Sequence, residues 1–117
     1  MRLMTKFDAG DIVLLEFPFS HLLGGKRRPG LVLVSEDADV LLARVTTQAA
    51  RHSSDIELVH WAAVGLPKAS TVRLTKLAAI DRRLVHRKIG RLHPEDARAV
   101  AGALTQLCAV IAAGLQT

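Results

Sequence analysis

Cysteine and aromatic residues are scarce in this chain, and both shortages limit the classes of protein to which it can belong. Cys108 is the single cysteine, which excludes an intramolecular disulfide and a cysteine-based metal cluster and gives no sign of secretion. Aromatic residues make up only 3% of the sequence, and Trp61 is the single tryptophan. The sequence leaves two roles open for Trp61, stacking on a nucleic-acid base or capping the hydrophobic core.

Several catalytic and metal-binding motifs are also absent. The five histidines are scattered, with no H-E-x-x-H or paired Cys-His spacing, so we predict no metal site and no cofactor. Gly24, Gly25 and Lys26 do not form a phosphate-binding loop, because Arg27 stands where that motif needs Ser or Thr and a strand follows instead of a helix. There is no G-x-S-x-G nucleophile motif.

Long hydrophobic segments of the targeting type are missing as well. The N-terminal residues MRLMTKFDAGD lack the apolar core of a signal peptide, so a cytoplasmic location is expected. Residues 99–115 carry no charge, but they are rich in Ala and Gly, are interrupted by Thr105 and Gln106, and have no interfacial anchor beyond them. We therefore predict a packed helix here and no membrane partner.

The composition that remains fits one basic domain. The chain has 117 residues, half of them hydrophobic, so a single domain spanning 1–117 can build a core without disulfides or metal. Sixteen Lys and Arg against eleven Asp and Glu give a formal charge of +5. A polyanionic partner is therefore favoured, either nucleic acid or an acidic protein.

The apolar runs predict a mainly β fold that ends in a helix. Three runs of strand length predict an antiparallel start, and shorter runs predict further strands; they lie at 12–17, 30–35, 40–47, 56–61, 71–74 and 76–81. The cationic stretch 81–92 is interpreted as a short helix or turn against the core. Because the strands are almost continuously apolar, we expect both faces of the sheet to be covered, as in a small curved antiparallel barrel with a flanking helix.

The C-terminal helix has the clearest signal. Pro94 fits the first helical position, and Glu95 and Asp96 fit the positive end of the helix dipole. His93 stands where Ser, Thr or Asp would be the better N-cap. One apolar stripe at helical spacing follows, made of Ala97, Val100, Ala101, Leu104, Leu107, Cys108, Ile111 and Leu115.

A basic loop is the main candidate for chemistry. Lys26, Arg27 and Arg28 stand together before Pro29 and a buried strand, and guanidinium groups can bind two phosphate oxygens at once. Hydroxyl donors at Thr46 and Thr47 end the third strand, and Arg73 lies on a later one. By residue type alone, both a phosphate site and a solvated basic loop remain open.

Four stretches in order along the chain resemble the PemK/MazF family of toxin ribonucleases from bacterial toxin–antitoxin modules. They are GDIVLLEFPFSHLLGGKRRPGLVLV at 10–34, RVTTQ at 44–48, GLPKASTVRLTKLAAID at 65–81 and IGRLHPEDARAV at 89–100. The resemblance implies an SH3-like curved antiparallel barrel with a C-terminal helix, a homodimer, and inhibition by a cognate antitoxin. It also implies metal-independent cleavage of single-stranded RNA through attack of the ribose 2′-hydroxyl on the adjacent phosphorus.

The resemblance also assigns roles to residues. Arg28 matches the arginine before the proline and would stabilise charge on the phosphorane, Thr46 would donate a hydrogen bond to the same oxygens, and Arg73 matches an arginine used by some members. Thr75 departs from the acidic residue that those members place there. Lys26, Arg27 and Thr47 would bind RNA.

The sequence does not decide which residue is the general base. His21 is the candidate, because imidazole titrates near neutrality and the residue lies in the loop leading to Arg28. The rival hypothesis is a non-catalytic toxin or binding module of the same fold, which Thr75 and the lack of an obvious base leave possible. Finding or not finding RNA fragments with 5′-hydroxyl ends discriminates the two hypotheses.

Overall fold

The computed structural model describes residues 6–16 and 26–117. Six strands, a single-turn helix, a 3-10 turn and a long C-terminal helix make up the described chain. In chain order they are β1 (Asp11–Leu15), β2 (Arg28–Glu36), β3 (Asp39–Thr46), β4 (Asp55–Glu57), α1 (Trp61–Val64), β5 (Thr71–Asp81), the 3-10 turn (Arg82–Leu84), β6 (Val85–Arg91) and α2 (Pro94–Leu115).

All six strands form one antiparallel sheet, in the order β4-β5-β3-β2-β1-β6. Register shifts interrupt the β1/β6, β2/β3 and β3/β5 pairs, and bulges of this kind bend strands and increase their twist. The predicted mainly β fold with a C-terminal helix is confirmed. Among the described residues the barrel is open between β4 and β6, because β4 has only three residues and helices contact both edges, α2 on β4 and α1 on β6.

Hydrophobic side chains cover both faces of the sheet, as the continuous apolar strands predict. One cluster includes Ile12, Leu31, Ala43 and Val72, together with Val100 of α2. The second cluster lies on the opposite face, since its members alternate with those of the first; it comprises Phe7, Val13, Leu15, Val32, Val40, Leu42, Ala78 and Ile80. The sheet is therefore an internal layer with two cores.

Three segments differ from the sequence-based prediction. The run 56–61, predicted as a strand, is a strand only as far as the end of β4, and Trp61 begins α1. The runs 71–74 and 76–81 are one continuous strand, β5, because a bulge opposite Ala43 and Arg44 accommodates the residues at 74–76, where the two runs meet. The stretch 81–92, interpreted as a short helix or turn, is mostly the strand β6 after a 3-10 turn. Its cations obscured the strand pattern; β6 is an edge strand, where Lys and Arg are common because they discourage further strand pairing.

The C-terminal helix is attached to the sheet by its first turns. Asp96 is buried, and its two carboxylate oxygens accept hydrogen bonds from the backbone N–H groups of Val59 and His60, each at 2.9 Å. His93 caps the helix through Nδ1, which accepts the Glu95 N–H at 3.1 Å. Val100 is buried in the first core cluster. These contacts hold α2 against the end of β4.

The second half of α2 does not pack as the apolar stripe predicts. Cys108, expected to be packed, is exposed, as are Val110, Ile111 and Leu115. The sheet is too short to reach them: α2 has 22 residues, and its contacts with the first core cluster extend no further than Leu107. The part of the stripe beyond Leu107 therefore has no partner within the described part of the chain.

Candidate active site

One register row across the sheet brings together charged residues from three strands. Asp55 of β4 pairs with Arg73 of β5, Arg73 pairs with Arg44 of β3, and Arg44 pairs with Gly30 of β2. Directly opposed residues on antiparallel strands project to the same face, so the three side chains lie side by side. Gly30 is buried and contributes no side chain, and the row continues beyond it to Val13 of β1.

Two further predicted residues lie on the same face. Arg28 is two residues before Gly30, and Thr46 is two residues after Arg44, so strand alternation places both beside the row. The second core cluster continues this face toward the other ends of β2 and β3, through Val32 and Leu42. The fold thus brings together Arg28, Thr46 and Arg73, which the sequence analysis selected separately.

Arg73 is fixed in position by its neighbours. Only 7% of its surface is exposed, and its guanidinium donates to Gln48 Oε1 at 3.1 Å and to Asp55 Oδ2 at 3.5 Å. The same Asp55 oxygen accepts the backbone N–H groups of Arg51 and His52, at 2.9 and 3.3 Å. Asp55 therefore supplies, from β4, the acidic partner that Thr75 cannot provide.

Arg44 was missed as a site residue by the sequence analysis. It is half-buried beside Arg28 and Arg73, and its Nε atom is buried without a hydrogen-bond partner, as is the Nε atom of Arg28. Burial lowers the pKa of Arg44, and repulsion from Arg28 and Arg73 lowers it further. One signal was available in the sequence: Arg44 is the only charged residue inside the apolar run 40–47.

Thr46 has an orientation suited to hydrogen-bond donation. Its Oγ1 accepts the backbone N–H of Gln48 at 3.3 Å, and this contact fixes the position of the oxygen. The hydroxyl proton stays available for a ligand oxygen, because that bond uses only a lone pair. Thr47, the neighbouring predicted residue, is exposed at the end of β3.

Lys26 and Arg27 are exposed at the start of β2, next to a groove of about 420 Å³. Arg27 Nη1 lies 3.3 Å from His86 Nε2 across this groove, which is lined by Leu15, Glu16, Arg27, Arg83, Leu84, Val85 and His86. Arg83, which also lines the groove, donates a hydrogen bond to Asp81 Oδ2 at 2.8 Å. This hydrogen bond is the main cause that lowers the pKa of Asp81 to about 2. His21 lies outside the described residues.

One group of potential metal ligands also comes together in the described chain. His60, His93 and Glu95 have ligand atoms within 4.8 Å of one another, and the two imidazole rings stack with centroids 3.6 Å apart. A metal-binding histidine normally donates a proton from its other ring nitrogen. His93 instead accepts a hydrogen bond at Nδ1, so its ring proton is on Nε2. The cluster therefore fits a helix cap with a His60–Glu95 hydrogen bond better than it fits a metal site.

Solved structures of toxins have the same fold. A MazE–MazF complex from Deinococcus radiodurans is 25% identical, covering 87% of this chain and 95% of that chain with a TM-score of 0.70. The Mycobacterium tuberculosis toxin MazF-mt6 is 24% identical over 82% of this chain and 93% of that chain, with a TM-score of 0.68. A mycobacterial endoribonuclease in complex with its cognate antitoxin is 17% identical over 83% of this chain and 89% of that chain, with a TM-score of 0.65.

The sequence comparison identifies the family. No protein with curated annotation matches the chain. Residues 8–108 match the sequence model of one family, and they include every strand, Arg28, Arg44, Thr46, Arg73 and the packed part of α2. The chain belongs to the PemK-like, MazF-like toxins of type II toxin–antitoxin systems.

Proposed function

We propose that this chain is an endoribonuclease toxin that cleaves single-stranded RNA without a metal ion, with Arg28 and Thr46 at the scissile phosphate. The observation that carries the proposal is the position of Arg28, Thr46 and Arg73 on one face of the sheet, with Arg73 held by Asp55 and Gln48. Cationic and hydroxyl donors fixed beforehand around a phosphate lower the barrier to its reaction, because negative charge increases there in the transition state.

The reaction is an internal transfer within the RNA. The 2′-oxygen forms a bond to phosphorus while the bond from phosphorus to the 5′-oxygen breaks, which leaves a 2′,3′-cyclic phosphate and a 5′-hydroxyl. A general base takes the 2′-hydroxyl proton, and a general acid returns a proton to the leaving oxygen. Arg28 stabilises the charge on the phosphorane oxygens, and Thr46 donates a hydrogen bond to them. His21 remains the proposed base.

RNA on either side of this phosphate follows the basic surface. Lys26, Arg27 and Thr47 are exposed, and the groove lined by Arg27, Arg83 and His86 lies at the start of β6. Cations at this distance from the reacting phosphate contribute attraction that depends on salt, because they displace counterions from the RNA backbone. They are assigned to binding and not to chemistry.

The partners follow from the family. Relatives in this fold are found in complex with antitoxins, and we propose that a cognate antitoxin inhibits this chain by laying an acidic, partly apolar segment over the basic groove. We also propose a cytoplasmic location and a homodimeric state for this chain, as expected for a member of this family.

The deciding experiment measures cleavage of a long single-stranded RNA in excess EDTA by the wild type and by Arg28→Ala, with RNA binding measured in parallel. We expect the wild type to produce fragments with 5′-hydroxyl ends, and the variant to lose at least ~100-fold in cleavage rate while it still binds RNA. Binding without cleavage by either protein would instead identify a non-catalytic module of the same fold.

A further inference from the structure

The candidate site carries more positive charge than the protein itself neutralises. All eleven acidic residues of the chain lie in the described ranges 6–16 and 26–117. Within those ranges Arg73 has a carboxylate partner, Asp55, but no carboxylate forms an ion pair with Arg28 or Arg44. Three guanidinium charges and one carboxylate charge leave a net charge of +2 at the site.

Packing does not explain this arrangement. The Nε donors of Arg28 and Arg44 are buried and have no partner, and such groups cost free energy when they are removed from water. The three guanidinium groups also repel one another: burial is the main cause of the lowered pKa of Arg44, and the charges of Arg28 and Arg73 lower it further. Among the described residues Arg28 and Arg44 have no carboxylate partner, and a folded chain that keeps them together beside Arg73 is arranged for a ligand of opposite charge.

We infer that Arg44 is a third phosphate-binding arginine, which completes with Arg28 and Arg73 a clamp for a phosphoryl group carrying two negative charges. The inference rests on the proposed function, because the ligand is the reacting phosphate of the RNA. An ordinary phosphodiester carries one negative charge, whereas the pentacoordinate phosphorane carries two. The clamp therefore neutralises the transition state more completely than the ground state, which is the condition for a faster reaction.

The role of Arg44 differs from that of an attracting surface cation. Arg44 is half-buried in the register row between Arg73 and Gly30, whereas Lys26 and Arg27 are exposed before the start of β2. Removal of Arg44 should thus affect the reaction rate more than the affinity for intact RNA.

The test uses the full chain and two matched variants, Arg44→Met and Arg98→Met. Methionine keeps an apolar stem of similar length and removes the charge in both, and Arg98 is an exposed residue of α2. Inorganic phosphate at mildly alkaline pH, where it is mainly a dianion, serves as the probe. We expect it to raise the melting temperature of the wild type and of Arg98→Met. In Arg44→Met we expect the affinity of the protein for phosphate to fall at least ~10-fold.

Kinetics give the second readout. Arg44→Met should lower kcat by at least ~100-fold, while its affinity for an uncleavable oligodeoxynucleotide falls by much less. Without phosphate, the variant should melt no lower than the wild type, because repulsion has been removed. Arg44→Lys keeps the charge but not the planar guanidinium, so it should restore part of the stabilisation by phosphate. If Arg44→Met does not fold, the phosphate affinity and kcat are measured on Arg44→Lys instead.

The outcomes separate this inference from the proposed function. If phosphate stabilises the Arg44 variants as strongly as the wild type, Arg44 is not part of the clamp, even when the wild type cleaves RNA. If phosphate binding depends on Arg44 but the wild type does not cleave RNA, the clamp stands and the endoribonuclease proposal fails.

Discussion

At Thr46, a substitution that changes only a few atoms can test a role in RNA cleavage without disturbing the fold. Its hydroxyl accepts the Gln48 N–H and keeps its proton for a ligand. We expect Thr46→Val, which preserves shape and removes the hydroxyl, to lower the single-turnover cleavage rate by ~10²–10³-fold, the usual effect of deleting one donor to a developing charge. Quenched-flow cleavage of a short RNA measures the rate.

Thr46→Ser is the matched control, because it keeps the hydroxyl and loses only a methyl group. It should retain most of the activity, while both variants should unfold within about 1 kcal/mol of the wild type, as is usual for partly exposed positions. Equal cleavage by Thr46→Val and the wild type would remove Thr46 from the phosphate site.

At the scale of elements, the contact of α1 with β6 depends on one glycine. A Cβ atom added to Gly90 would collide with the backbone carbonyl oxygen of Val64, the last residue of α1. Backbone cannot move aside as a flexible side chain does, so we expect Gly90→Ala to lower the free energy of unfolding by about 1–3 kcal/mol. Urea denaturation followed by circular dichroism measures this change.

Gly102 of α2 provides the opposite case. A Cβ atom there meets nothing within 4 Å, and alanine favours a helix more than glycine does. Gly102→Ala should therefore raise the free energy of unfolding by about 0.5–1 kcal/mol. Destabilisation of similar size in both variants would show that the α1–β6 contact is not the cause.

At the scale of the whole molecule, the second half of α2 is an exposed apolar surface without a partner in the described part of the chain. By length and composition the helix Pro94–Leu115 could cross a membrane, with a mean hydropathy of 1.6, but its first turns are packed on the sheet through buried Asp96 and Val100. Beyond them Val110 and Leu115 are 69% and 81% exposed. The family resemblance implies a homodimer, and we propose that this exposed apolar surface is part of its interface.

We expect the wild type to be a dimer in light scattering at micromolar concentration, and Ile111→Lys to weaken dimerisation at least ~100-fold because each interface would then bury a charge. Gln106→Lys adds the same charge on another side of the helix and should leave the dimer intact. A dimer that persists in Ile111→Lys would place the interface elsewhere.

Prediction from sequence succeeded where one local pattern decides the structure. The runs at 12–17, 30–35 and 40–47 gave the strands, and Pro94 with Glu95 gave the start of α2. It failed where tertiary contacts outweigh the pattern. The cations of β6 concealed an edge strand, and the apolar stripe of α2 continues past the end of the sheet. The open edge between β4 and β6 depends on the two helices that contact them.

The sequence by itself determined the class of fold, the family, and Arg28, Thr46 and Arg73 as candidates, because strand periodicity and short motifs are local properties of the chain. The tertiary structure alone decided how these residues meet. Pairing across three strands sets Asp55 against Arg73, and Arg73 against Arg44, although Arg44 and Arg73 are far apart in the chain. Register is a property of paired strands, so neither the carboxylate that holds Arg73 nor the unneutralised charge around Arg44 can be read from the sequence.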